Sequence, residues 1–268
     1  MGRKSTVDLD EQKVITDYQN GLSMVKIAEQ YQCKTHHIDW ILRKHDIKKR
    51  SNKENSRRFH CNHRFFETID SEEKAYWLGF FAADGYVTKR GYVGITLSNV
   101  DKAHLEKLNI ALESTYPVNE YRAKGYREDT MSARLLLSSQ QMKDDLLLHG
   151  MTEHKTLTLQ FPELPEDMIR HFVRGYFDGD GSWSYHKSKN QYQFKVVGTK
   201  EILTGILESI GFQNHKLYKR RPEHTNTFYI SIGGNKQVLS IMEYLYTDST
   251  VYLERKYERY KQLNTQSH

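Results

Sequence analysis

Cysteine is nearly absent: Cys33 and Cys61 are the only two in 268 residues, and they form no CxxC pair. A disulfide framework is therefore excluded as the basis of the fold. Long apolar runs are also missing. None approaches the roughly 18 residues of a membrane span, and residues 1–20 lack the apolar core of a signal peptide. The expected location is the cytoplasm, with no membrane partner. A paired metal-ligating cluster is missing too: "HCNH" at 60–63 has suitable residue types, but nothing stands opposite it at zinc-site spacing.

What is present describes a soluble globular chain, with 37% hydrophobic and 28% charged residues. Its length suits one large domain or a small domain beside a larger one. The net charge of +6 is unevenly placed. Residues 1–65 hold 14 of the 40 Lys and Arg and 8 of the 34 Asp and Glu, which leaves 26 of each sign for the rest. All the excess positive charge is N-terminal, which points to a polyanion partner, with a solvated charged face as the bland alternative.

From Asp10 to Lys49 the sequence predicts three short helices. The first runs from about Gln12 to Gln19 and stops at Asn20-Gly21; Ser23 is placed to cap the second and Thr35 the third. Ile27, Ala28 and Tyr31, then Ile38, Ile41 and Leu42, fall on single faces. This leaves His36, His37, Arg43 and Lys44 outward. The pattern resembles the helix-turn-helix of resolvase-type and phage DNA-binding modules, in which such residues meet bases and phosphates. Residues 1–49 are assigned to this module and 50–64, which include "KKRSNKENSRR" in part, to a basic linker.

An internal repeat organises the rest. "YWLGFFAADGY" at 76–86 matches "FVRGYFDGDGS" at 172–182, pairing Gly79 with Gly175, Asp84 with Asp180 and Gly85 with Gly181. Asp70 with Glu73 reads as a capping box for the first copy, and Pro165 with Glu166 and Asp167 as a first turn for the second. Gly181 is expected to end its helix in the left-handed conformation. Each half then reads helix, two strands, helix, two strands, helix. Gly79 with Ala83, and Gly175 with Gly179, place small residues on one helical face, so two such helices can nearly touch. Asp84 and Asp180 would meet at one end, where each helix terminus already carries partial negative charge. Two carboxylates there repel unless a cation bridges them, and Mg²⁺ suits an oxygen-rich site of this kind.

These paired motifs and their matching flanks resemble the two LAGLIDADG motifs of single-chain homing endonucleases. The resemblance implies an α+β fold: two pseudo-symmetric αββαββα repeats with saddle-shaped antiparallel sheets, at 65–164 and 165–268, besides the small all-α helix-turn-helix domain. It implies a site-specific endonuclease, active as a monomer, that hydrolyses both strands of double-stranded DNA at a long asymmetric target and leaves 3′ overhangs. The cofactor would be Mg²⁺, with Mn²⁺ able to substitute, and the setting a bacterial or phage-infected cell. Asp84 and Asp180 would bind metal with help from the Ala83 and Gly179 carbonyls. Lys155 and Lys256 would act on the water network around the nucleophile. The earlier acid of the motif is Asp178 in the second copy but Ala82 in the first. Candidate DNA contacts are Lys89, Arg90, Arg122, Lys124 and Arg127 in the first half. In the second they are His186, Lys187, Lys189, Lys216, Lys219, Arg220 and Arg221, each fitted better to phosphate than to a base. A non-cleaving DNA-binding regulator and an intron maturase on the same scaffold stay open; the chain's "NTQSH" end, without a His-Asn junction, is expected to exclude an intein.

Overall fold

Apolar periodicity and strong capping residues set the helices of the small N-terminal unit. The computed structural model describes residues 9–50, 59–122, 131–152, 155–220 and 226–266. These divide into two compact units, the first reaching Asn62 and including Glu113–Tyr116, the second taking in His63–Leu112 and the chain from Pro117. In the first, Asp10 caps α1 (Glu11–Gln19) and Ser23 caps α2 (Met24–Gln30). Gly21 makes the intervening turn at φ +102°, a value glycine tolerates best. Helix α3 (Thr35–Lys44) starts one residue earlier than a Thr35 cap would require: Lys34 holds the cap position and no side chain caps the helix. Val14, Ile15, Tyr18, Ile27, Ala28, Ile38, Ile41 and Leu42 form a dry core.

The second unit repeats one pattern twice. The first copy is α4 (Glu72–Asp84), β1 (Gly85–Val87), β2 (Tyr92–Ser98), α5 (Lys102–Ala111), β3 (Val118–Arg122), β4 (Met131–Ser138) and α6 (Gln140–Leu148). A four-residue helix, α7 (Lys155–Thr158), leads into the second copy. That copy is α8 (Glu166–Asp180), β5 (Gly181–His186), β6 (Gln191–Gly198), α9 (Lys200–Ser209), β7 (Tyr218–Lys219), β8 (Phe228–Gly233) and α10 (Asn235–Tyr246). Helix α11 (Glu254–Gln266) closes the chain. Both sheets are antiparallel and share one order, β1-β2-β4-β3 and β5-β6-β8-β7. The fold is α+β, with the αββαββα repeat expected from the sequence.

Alternation assigns the sheet faces. Ala133, Leu135 and Leu137 of β4 are buried, as are Phe194 and Val196 of β6, while the residues between them turn outward. Two capping expectations are corrected. Ser71, not Asp70, caps α4 by accepting from the Lys74 N–H, and Asp70 pairs with the Lys74 ammonium at 2.8 Å. Gly181 is not left-handed, having φ −96°. It is glycine because a Cβ there would lie 2.1 Å from the Phe177 ring and 2.5 Å from the Phe177 carbonyl. The chain needs the missing side chain to pass from helix into strand.

Candidate active site

Helices α4 and α8 lie in backbone contact. A Cβ on Gly175 would stand 1.9 Å from the Tyr76 carbonyl oxygen, and one on Gly79 2.0 Å from that of Phe172. At the C-terminal end the approach persists, since a Cβ on Gly179 would be 2.3 Å from the Ala83 Cβ and 3.0 Å from Asp84 Oδ2. Asp84 and Asp180, the last residues of the two helices, therefore share one corner. Burial, and then the neighbouring Asp180 charge, push the Asp84 carboxyl up to about 6. Burial raises Asp180 as well, against the opposing pull of Lys155 and Lys256. Both groups resist ionisation, as carboxylates drawn out of water do.

The two lysines meet these helix ends directly. Lys155 Nζ donates to the carbonyls of Phe81 at 3.2 Å, Ala82 at 2.7 Å and Ala83. Lys256 Nζ donates to those of Phe177, Asp178 at 2.9 Å and Gly181 at 2.6 Å. Carbonyls left over at a helix C-terminus are thus satisfied by ammonium groups, which also oppose the terminal dipole. Burial lowers both lysines to about 8, with the Asp84 and Asp180 charges working the other way. The Ala83 carbonyl is engaged by Lys155, whereas the Lys256 bonds pass over Gly179. The two carbonyls suggested as metal ligands are therefore not equivalent.

Residues 71–144 match the family described as a LAGLIDADG-like domain. The chain carries a LAGLIDADG-like domain. The element order and strand order of this stretch recur in the second half of the same unit. Two curated relatives are the replication factor C small subunits of Methanocaldococcus jannaschii and Thermococcus kodakarensis. The first is 24% identical over 187 residues and the second 23% over 178, each covering 65% of this chain. The matches span only 10% and 20% of the length of those relatives. Among solved structures, the chain is similar to the homing endonuclease I-WcaI bound to its DNA recognition sequence, at 17% identity and TM-score 0.47, covering 66% of this chain and 82% of that one. It is also similar to I-GzeII in complex with a DNA target, at 12% identity and TM-score 0.48, covering 71% and 88%. A third is the N-terminal LAGLIDADG domain of DUF199/WhiA, at 18% identity and TM-score 0.43, covering 70% and 90%.

The candidate nucleic-acid contacts fall into distinct settings. Lys89 and Arg90 are exposed in the β1–β2 turn, and Arg122 is exposed at the end of β3. Lys187 and Lys189 occupy one exposed 3-10 turn after β5. His186 is tied to Gln193 at 2.7 Å, and Gln193 in turn donates to Ser231 at 2.7 Å. Lys216 lies over the Tyr218 ring, and Lys219 and Arg220 are exposed beside it. Lys124, Arg127 and Arg221 lie outside the described residues. In the N-terminal unit His36 is exposed and His37 half-buried, while Arg43 pairs with Asp39 at 2.8 Å and Lys44 with Glu11 at 2.8 Å. Those last two cations are partly neutralised, which their positions on α3 alone did not reveal.

Other notable residues, in each unit separately, were not foreseen. The strand registers place Lys195 outward between Ser182 and Ser231, at the middle of the second sheet. Arg134 lies on β4, an inner strand of the first sheet, paired with Thr96 and Asn119 and lying over the Tyr121 ring. Trp40 is 58% exposed on α3, with Lys44 above its ring. Behind the acids, fully buried Arg174 donates to Glu72 at 2.6 Å and to the Leu245 and Val251 carbonyls, each at 2.9 Å. His60 bonds Thr115 and His63 bonds Ser139, and no group of three or more His, Cys, Asp or Glu gathers to hold a metal among the described residues. No helix among those residues is long and apolar enough to cross a membrane.

Proposed function

We propose that this protein is a divalent-metal-dependent endonuclease that hydrolyses both strands of a long, asymmetric double-stranded DNA site, acting as a monomer with internal pseudo-two-fold symmetry. The observation that carries the reading is the meeting of Asp84 and Asp180 at the touching ends of two helices, both carboxyls held above their ordinary range. The donor set is hard oxygen, which fits Mg²⁺ or Mn²⁺. Asp84, Asp180 and the Gly179 carbonyl would hold the ion. When bound, the metal supplies activation of water and stabilisation of the leaving oxygen, in the manner of phosphodiesterases.

The chain itself does the remaining work. Outward side chains of the two sheets, with Lys195 and Arg134 near their middles, bind the duplex. Exposed turns carrying Lys89, Arg90, Lys187 and Lys189 hold phosphates on either side. Lys155 and Lys256 keep the helix ends rigid and leave positive charge beside the reacting phosphate. The N-terminal helices bind neighbouring duplex through α3. Water, not an acid, attacks one phosphate of each strand across the minor groove, its oxygen bonding to phosphorus as a P–O ester bond breaks and the sugar oxygen leaves as a hydroxyl, so that the products would carry 3′ overhangs.

The test is substitution of each acid in the full chain. Asp84→Asn and Asp180→Asn are expected to reduce double-strand cleavage by about 100-fold or more while DNA affinity holds. Each also removes a carboxylate that resists ionisation, so the metal-free variants should melt no lower than the parent. Retention of cleavage within about tenfold would refute the assignment. A parent protein that binds its site in Mg²⁺ and leaves both strands whole would establish a non-cleaving DNA-binding or maturase role instead.

A further inference from the structure

The two halves of the site stand on different supports. Asp178 is enclosed, and its carboxylate accepts from the Tyr76 hydroxyl at 2.7 Å, the Tyr246 hydroxyl and the Leu253 backbone N–H at 2.7 Å. Leu253 stands three residues before Lys256, whose ammonium returns to the Asp178 carbonyl. One residue thus grips the segment that delivers the lysine with its side chain, and the lysine itself with its backbone. In the first copy Ala82 fills the corresponding position and offers no carboxylate, and Lys155 is delivered by the four-residue α7.

We infer that Asp178 is a positioning residue that pre-sets Lys256 alone, so that the two strands are cut at unequal rates and nicked duplex accumulates as an intermediate. This inference rests on the nuclease reading. Both ammonium groups are held by helix carbonyls, but the segment carrying Lys256 is in addition tied to the Asp178 carboxylate, and a group fixed beforehand needs no ordering as the reaction proceeds. Removing a group that orients an active-site residue typically costs 10–100-fold, so the two strand rates are expected to differ by about tenfold. The other role open to Asp178 is simple bracing of the core, which would touch both lysines and both strands alike.

The experiment uses the full chain as parent, Asp178→Asn and Tyr246→Phe. The last removes one donor to the carboxylate and leaves Asp178 and its backbone link in place, so it guards against a variant that fails to fold. The first readout is acetylation of Lys155 and Lys256 by acetic anhydride, followed by mass spectrometry without metal or DNA. Lys256 should react about tenfold faster in Asp178→Asn, and faster by less in Tyr246→Phe, with Lys155 unchanged. The second readout is strand-specific cleavage of a labelled duplex in Mg²⁺. The parent should nick one strand first, and Asp178→Asn should slow that strand and bring the ratio toward unity at unchanged DNA affinity. Equal changes at both lysines, or none at either, would overturn the positioning role. Equal strand rates in a cleaving parent would overturn the inequality. A parent that cuts neither strand would refute the nuclease reading, while the acetylation result still decides what Asp178 does.

Discussion

Replacing Gly175 by alanine tests the helix contact on which the site depends, because the physics gives opposite signs with and without that contact. In an isolated helix, alanine is favoured over glycine by about 1 kcal/mol. Here the added Cβ would stand 1.9 Å from the Tyr76 carbonyl oxygen and 2.9 Å from the Phe80 nitrogen, where real Cβ contacts essentially never fall below 3.0 Å. Backbone cannot rotate aside as a flexible side chain can, so α4 and α8 must part by about 1 Å. Overpacking of this kind costs about 1–3 kcal/mol, and the opened seam loses dispersion contacts along the facing aromatic rows. A net loss near 2 kcal/mol in a unit of roughly 200 residues corresponds to a Tm lower by about 4–8 °C. Thermal unfolding followed by circular dichroism reads this directly. The same 1 Å separates the two acids, and misplacement on that scale costs about 100-fold in rate. An unchanged or raised Tm for Gly175→Ala would mean that the helices do not touch at this point.

Two further outcomes follow from the charges at the site and on the DNA-facing surface. Ionising Asp84 costs the folded protein stability between its ordinary value near 3.8 and about 6, and a bound cation reverses that cost, so the Tm gain on adding Mg²⁺ should grow from pH 5 to pH 7; a gain independent of pH over that range would contradict cation binding between the acids. Lys195 stands outward at the middle of its sheet, whereas Arg43 is already paired with Asp39, so Lys195→Ala should lower the salt dependence of DNA binding by about one unit of slope and Arg43→Ala by less. Salt titrations giving the reverse order would move the main duplex contact to the N-terminal helices.

The repeat was legible because both signals that make it are local. Glycine and aspartate recur at matching places in two helices, and period-2 and period-3.6 patterns follow each other in the same order after both. What escaped notice depends on chain segments far apart. Arg174 looks like a surface residue within "FVRGYF", yet Glu72, Leu245 and Val251 converge on it from distant positions. Lys195 and Arg134 become central only once strand register decides which residues face outward. The conformation of Gly181 was misjudged because helix-ending glycines usually serve a left-handed turn, whereas here packing against Phe177 sets the requirement. Capping failed by one residue at Asp70, where two good capping side chains stand next to each other and only the extended backbone of Ser71 distinguishes them.

The packing that makes the site also makes its electrostatic problem. Glycines let two helices touch, and touching brings together two C-termini, each worth about half a negative charge, with a carboxylate on each. Lys155 and Lys256 return two positive charges to that corner, one to each helix end. With both acids ionised the corner is short of positive charge by about one unit, and the Asp84 carboxyl, raised to about 6, makes up the difference by keeping its proton as the pH falls. A proton is only a stand-in, because DNA phosphates approaching the sheets would add negative charge that one proton cannot offset. On the proposed function, a divalent cation and the duplex each relieve the repulsion the other meets, so their binding is coupled and the coupling is reciprocal. The lysines cannot replace the cation in this role, since their ammonium groups are committed to the helix carbonyls.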